Sequence, residues 1–176
     1  ILFDLDGTLV NTLTELADAL NDSLRPLLGS NSLAHPLVQS WIGNGAATLF
    51  KLALRHCGIS EDSIPAEFQN RWPDFQSAYA KRCGTNSTLY PGVINCLNAL
   101  QHAGYRMAVV TNKEAYFAEK VIHNKGMKDY FELVVAGDSL PCKKPDPQVL
   151  WTTLEQLGVA RSQALFIGDS IIDIET

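Results

Sequence analysis

No stretch of the 176-residue chain approaches the roughly 18 consecutive apolar residues that a membrane-spanning helix needs. No signal peptide is visible either. Cysteine is sparse: Cys57, Cys83, Cys96 and Cys142 are scattered without a C-x-x-C spacing. That argues against a disulfide framework and fits reduced thiols in a cytoplasmic protein. No His/Cys cluster offers a zinc site. Positive charge is also short, with 14 Lys and Arg against 19 Asp and Glu and a net charge of -5. A nucleic-acid-binding surface normally needs a basic face, so that function class is disfavoured. Internal repeats and low-complexity tracts are missing. What remains is an ordinary globular balance, 46% hydrophobic and 19% charged. A chain of this size buries roughly 70% of its unfolded surface and needs no covalent staple.

Four short apolar runs, residues 1–3, 107–110, 133–136 and 164–167, are continuous rather than alternating. Strands covered on both faces of a parallel sheet have that pattern. Helical patterns at 93–103, 115–124 and 148–157 are followed by Gly104, Gly126 and Gly158, a common helix stop. Alternation of strand and helix predicts an α/β fold with a doubly wound parallel sheet and right-handed crossovers. The first crossover differs, because roughly seventy residues separate Asp6 from the next core element near Tyr90-Pro91-Gly92, far too many for a loop. Apolar spacing at Leu13, Leu16, Ala17, Leu20 and Leu24, and again around 49–54 and 68–79, is helical. Residues 14–84 therefore read as an inserted α-helical cap over the strand ends, hinged near 11–13 and 82–87. Residues 1–13 and 85–176 form the discontinuous α/β core in this reading. The chain opens without Met inside a strand-like run and stops one turn into a helical one. The pattern reads as part of a longer protein, short of a final helix and a further strand.

Ligands of open α/β sheets bind outside the carboxyl ends of the strands. Three of the four runs end there in polar residues: Asp4-Leu5-Asp6, Thr111-Asn112-Lys113 and Gly168-Asp169-Ser170. Two carboxylates two residues apart repel unless a divalent cation joins them, and Mg²⁺ favours one or two carboxylates plus substrate oxygens. A surface turn is the plainer reading of Asp4-Leu5-Asp6-Gly7-Thr8. Thr111 and Asn112 can donate to a phosphoryl oxygen, or simply cap the next helix. Lys143-Lys144-Pro145-Asp146-Pro147 offers a point cation for phosphate, or a solvated basic turn. Asp173 lies four residues after Asp169, on one helical face, where it either supports a metal site or caps.

Taken in order, these motifs resemble those of the haloacid-dehalogenase-like hydrolase superfamily. They are D-x-D-G-T-L-V, a Thr after the second strand, Lys-Pro before a helix and G-D-S-x-x-D. Within it, Gly7-Thr8-Leu9-Val10, Trp41-Ile42-Gly43-Asn44-Gly45-Ala46, Val110-Thr111-Asn112-Lys113 and Lys143-Lys144-Pro145 look like the phosphoglycolate phosphatase group. The resemblance implies a Rossmann-like core, Mg²⁺ and a small-molecule phosphate ester as partner. It implies Asp4 as nucleophile, Asp6 as general acid/base and Thr111, Asn112 and Lys144 as phosphate ligands. Asp4, the Asp6 carbonyl and Asp169 would hold the metal, supported by Asp173. Gly43, Asn44 and Gly45 would read the leaving group, and Lys143 is left as an extra charge. Asn11-Thr12 departs from the Asp-Ser often found there, a difference expected to matter little.

Rival readings stay open. A dehalogenase would not be expected to keep Asp6 as acid/base. A phosphomutase would share all four motifs. A phospho-accepting receiver domain gathers similar residues, but on a middle strand and without a long helical insert.

Overall fold

The computed structural model describes residues 1–176. In chain order the elements are β1 (Leu2–Phe3), β2 (Val10–Asn11), α1 (Leu13–Ser23), α2 (Arg25–Leu28), α3 (His35–Gln39), α4 (Ala46–His56) and α5 (Ile64–Arg82). They continue with β3 (Thr88–Leu89), α6 (Val93–His102), β4 (Ala108–Val110), α7 (Ala115–Asn124), β5 (Leu133–Val135), α8 (Gln148–Leu157), β6 (Phe166–Ile167) and α9 (Ile171–Glu175). Four strands form a parallel sheet in the order β5-β4-β1-β6. Leu2 pairs with Ala108 and Phe166, and Phe3 with Val109 and Ile167.

Alternate residues along each strand go to opposite faces. Phe3 and Val109 join Leu97 of α6 and Phe117, Val121 and Ile122 of α7 on one face. Leu2, Ala108, Val110 and Val135 join Val149, Leu154 and Leu157 of α8 on the other. Both faces are buried, which is why the strands read as unbroken apolar runs; each such side chain contributes roughly 1.5–3 kcal/mol on burial. The sheet is doubly wound, as expected, and β1 lies where the strand order reverses, so its carboxyl end opens into a crevice.

Two strands were not legible in advance. β2 and β3 form an antiparallel ribbon, Val10 opposite Leu89 and Asn11 opposite Thr88, where the chain leaves for α1 and returns from α5. Two residues per strand carry no detectable alternation. Along α5, Phe68, Trp72, Phe75 and Tyr79 line one helical face with successive ring centroids 4.8, 5.2 and 5.8 Å apart. Tyr79 then meets Phe117 of α7 at 4.5 Å, joining the inserted helices to the core.

A buried carboxylate fastens the base of the insert. Glu15 of α1 is fully buried and accepts the N–H groups of Gly84 and Ser87, at 2.9 and 3.1 Å. Burial pushes its carboxyl above the usual range, against the pull of Lys113. Glu15→Ala would leave two buried N–H groups without an acceptor, at about 1–3 kcal/mol each. The expected loss is about 3 kcal/mol by urea denaturation; an unchanged midpoint would show that Glu15 does not fasten these segments.

Candidate active site

The polar tips of β1, β4 and β6 converge with the loop before α8. Asp4 follows β1 and is buried. Its Oδ1 accepts the Leu5 N–H at 2.7 Å and lies 2.9 Å from the Lys144 Nζ. Lys144, also buried, donates to Asp173 Oδ1 at 2.6 Å, so one ammonium joins two carboxylates. Burial pushes the Asp4 carboxyl up to about 6 although Lys144 draws it down; Asp173 and Asp6 add to the rise. Burial acts the same way on Asp173, but hydrogen bonds from Lys144 and Ser170 outweigh it and hold that carboxyl below its ordinary value. Asp173 also closes a capping box with Ser170 at the start of α9. The cap takes Oδ2, while Oδ1 accepts from Lys144.

One oxygen from each of Asp4, Asp169 and Asp173 lies within 4.8 Å of the others. Asp169 is exposed, and its Oδ1 accepts the Thr8 hydroxyl at 2.8 Å. Gly7 makes the approach of Asp169 feasible: its φ is +90°, and a Cβ there would stand 2.2 Å from Asp169 Oδ2. A set of hard oxygen donors with one solvent-facing member fits Mg²⁺, which keeps part of its water shell.

Asp6 faces elsewhere. Its Oδ1 accepts the Thr12 hydroxyl at 2.8 Å, and both its oxygens accept from Lys113 Nζ, at 2.9 and 3.0 Å. Lys113 is buried, with its ammonium 5.0 Å from the centre of the Tyr79 ring. Burial opposes its charge, but Asp6, Cys83 and Glu15 outweigh that and raise its pKa. Thr12 thus touches Asp6, at a position where relatives often carry Ser. A Ser there would offer the same hydroxyl donor, so the substitution keeps the contact. Lys113 and Thr12 were the residues that sequence reasoning left without a role.

Thr111 does not cap α7. The N-cap position is Glu114, the Ala115 N–H is taken by Asp138, and Thr111 Oγ1 accepts the Lys113 N–H at 3.2 Å. Asn112 spends both its amide hydrogens on carbonyls, Gly43 at 3.0 Å and Lys144 at 2.9 Å. Its Oδ1 is buried without a partner. Its side-chain amide therefore ties the insert to the core, and only its backbone N–H is left for a substrate.

The segment around the start of α4 reaches the same site. Ile42, Gly43, Gly45, Ala46 and Leu49 share a cavity with Asp4, Asp6, Thr111, Asn112 and Lys113. Asn44 is exposed and engages only through its carbonyl, which accepts from Lys143 at 3.1 Å. The Lys143 side chain, expected to be a spare charge, is thus a second tie to the insert. Trp41 turns away and packs on His56, ring centroids 5.8 Å apart.

A parallel α/β sheet whose first strand ends in a buried Asp beside a Lys and two further Asp side chains defines a class of hydrolase. The family model for haloacid dehalogenase-like hydrolases matches residues 1–176. The phosphoglycolate phosphatase of Psychrobacter arcticus is 39% identical over 99% of this chain and 76% of its own length. That of Nitrosococcus oceani is also 39% identical, over 99% and 77%. A solved structure described as a predicted phosphoglycolate phosphatase from Haemophilus somnus superposes with a TM-score of 0.87. It is 34% identical, and the match covers 99% of this chain and 78% of that one. The chain belongs to the haloacid dehalogenase-like hydrolase family. Its relatives place it among the phosphatases of that family.

Proposed function

We propose that the protein hydrolyses a small phosphate monoester, 2-phosphoglycolate, through an aspartyl-phosphate on Asp4 and with Mg²⁺. The observation that carries this is the buried Asp4 carboxylate beside Lys144, opening on a cavity roofed by the insert. An Asp4 oxygen attacks phosphorus in line while the ester P–O bond breaks. Asp6 gives its proton to the departing alkoxide. It then takes a proton from the water that attacks the aspartyl-phosphate, releasing inorganic phosphate and restoring Asp4. The Thr111 hydroxyl, the Asn112 backbone N–H and the Lys144 ammonium hold the phosphoryl oxygens. Asp4, the Asp6 carbonyl and Asp169 would hold Mg²⁺, with Asp173 in support. The ion supplies charge neutralisation for the phosphoryl group.

In this reading residues 14–84 act as a cap over the core formed by 1–13 and 85–176, and its closure excludes water. The motifs of the core meet only the phosphoryl group, so the cap must read the rest. α4 starts at Ala46, with no side chain capping its N-terminus. Gly45, Ala46 and Leu49 line the cavity. A helix N-terminus favours a carboxylate, which glycolate carries one carbon from the ester.

The test compares kcat/KM for 2-phosphoglycolate with β-glucose-1-phosphate, pyrophosphate and neutral esters. Preference for a substrate without the carboxylate defeats the assignment. Gly45→Val sharpens it. Gly45 has φ +86°, and a Cβ would stand 2.9 Å from the Asn112 carbonyl oxygen. The variant should lose on the order of 100-fold on 2-phosphoglycolate and far less on an aryl phosphate. Equal losses would mean that the loop only supports the fold.

A further inference from the structure

Both carboxylate oxygens of Asp6 accept from Lys113 and Oδ1 also accepts from Thr12, so Asp6 is turned to these donors and not to the ester oxygen. Something must separate Asp6 from Lys113. Lys113 is the one cation among the residues lining the cavity that holds Asp4, Asp6 and the Gly43–Gly45 loop. Lys144 is tied to Asp4 and Asp173 instead. Lys113 is also buried, so its ammonium cannot simply lose a partner: a buried charge left unpaired is strongly unfavourable. An exchange of one carboxylate for another avoids that cost.

Resting on the phosphoglycolate reading above, we propose that Lys113 is a specificity-determining residue that responds to the substrate's second anionic group. The substrate carboxylate takes the Lys113 ammonium, and Asp6, released as a carboxylate, takes a proton from water and gives it to the ester oxygen as the P–O bond breaks. A phosphate ester without a carboxylate cannot make the exchange. It leaves Asp6 paired with Lys113 and reacts slowly even when it binds. Selectivity then appears in kcat as well as in KM, because the leaving-group end of the substrate sets the acid/base free. The Thr12 hydroxyl, the other donor to Asp6, sits at the entry to α1, so the released carboxylate keeps one tether.

The experiment uses 2-phosphoglycolate and ethyl phosphate, which differ by the carboxylate. Wild type should prefer 2-phosphoglycolate in both kcat and KM. Lys113→Gln should lower kcat/KM for 2-phosphoglycolate by on the order of 10- to 100-fold, the scale of a charge-assisted hydrogen bond. The loss on ethyl phosphate, which has no carboxylate to exchange, should be at least about 10-fold smaller. Equal losses on both substrates, or a retained preference, would overturn the role of Lys113 while leaving the substrate assignment standing. A wild type without preference for the carboxylate would overturn both.

A binding measurement keeps the idea testable should Lys113→Gln fail to fold. Asp6→Asn removes the competing carboxylate. Calorimetry should then find the affinity for 2-phosphoglycolate raised roughly 10-fold more than that for ethyl phosphate, whose tightening reports only the lost negative charge. No tightening, or the same tightening for both esters, counts against the exchange.

Discussion

Asp4→Asn should lower turnover of phosphate esters by at least about 10⁴-fold while the protein stays folded. The amide keeps the shape of the carboxylate and can still accept the Leu5 N–H. It cannot attack phosphorus as an anion. The fold tolerates the change because Lys144 does not lose its last partner: Asp173 holds it at 2.6 Å. Burial already makes the Asp4 charge costly, which is why its carboxyl stands at about 6, so removing that charge relieves part of the penalty. The loss of activity thus comes without a matching loss of stability, and a thermal melt run beside the phosphate-release assay separates the two. Asp6→Asn is the companion. It should take up label from an activated phosphate ester and release it slowly, whereas Asp4→Asn should take up none. Near-normal turnover by Asp4→Asn would remove the covalent mechanism.

Much of the sheet was legible because parallel strands buried on both faces leave unbroken apolar runs. Ala115–Asn124 and Gln148–Leu157 form helices with the ends their sequence patterns give. The strands are one or two residues shorter than their apolar runs; Met107 and Ala136 are buried just beyond the ladder. Chemical residue types at strand ends were legible too, and the structure brings Asp4, Thr111, Lys144, Asp169 and Asp173 around one crevice. What the sequence could not carry was the direction of side chains after the strands. Asn112 and Thr111 are equally able to donate on paper, yet Asn112 turns its amide to Gly43 and Lys144. Lys113 stands beside them in the motif and gave no sign of burial, because a lone Lys after a strand is usually solvated. Its pairing with Asp6, 107 positions away, exists only in three dimensions. Glu15 is a similar case: it stands in the first turn of α1, and only the returning chain at Gly84 and Ser87 gives its carboxylate partners.

Removing divalent metal should abolish turnover, by at least about 10³-fold, and Mg²⁺ should restore it. The argument is one of charge. Four carboxylates, Asp4, Asp6, Asp169 and Asp173, meet only two ammonium groups in the site, Lys113 and Lys144. A phosphate monoester brings further negative charge into this low-dielectric crevice, where like charges repel more than in water. Lys144 cannot offset it all, being shared already between Asp4 and Asp173. A divalent cation beside Asp4 would draw its carboxyl down from about 6 and keep the nucleophile ionised at neutral pH. The prediction has a readout apart from activity. A ligand that binds only the folded state stabilises it, by about 2.7 kcal/mol at a concentration 100 times its Kd. Mg²⁺ should therefore raise the melting temperature of wild type, and Asp169→Asn should blunt the rise. Asp169 makes a hydrogen bond only to Thr8, so this variant leaves the Asp4–Lys144–Asp173 core in place. Full activity in chelator-treated buffer, or an equal Mg²⁺ shift in Asp169→Asn, would mean that these carboxylates do not hold the ion.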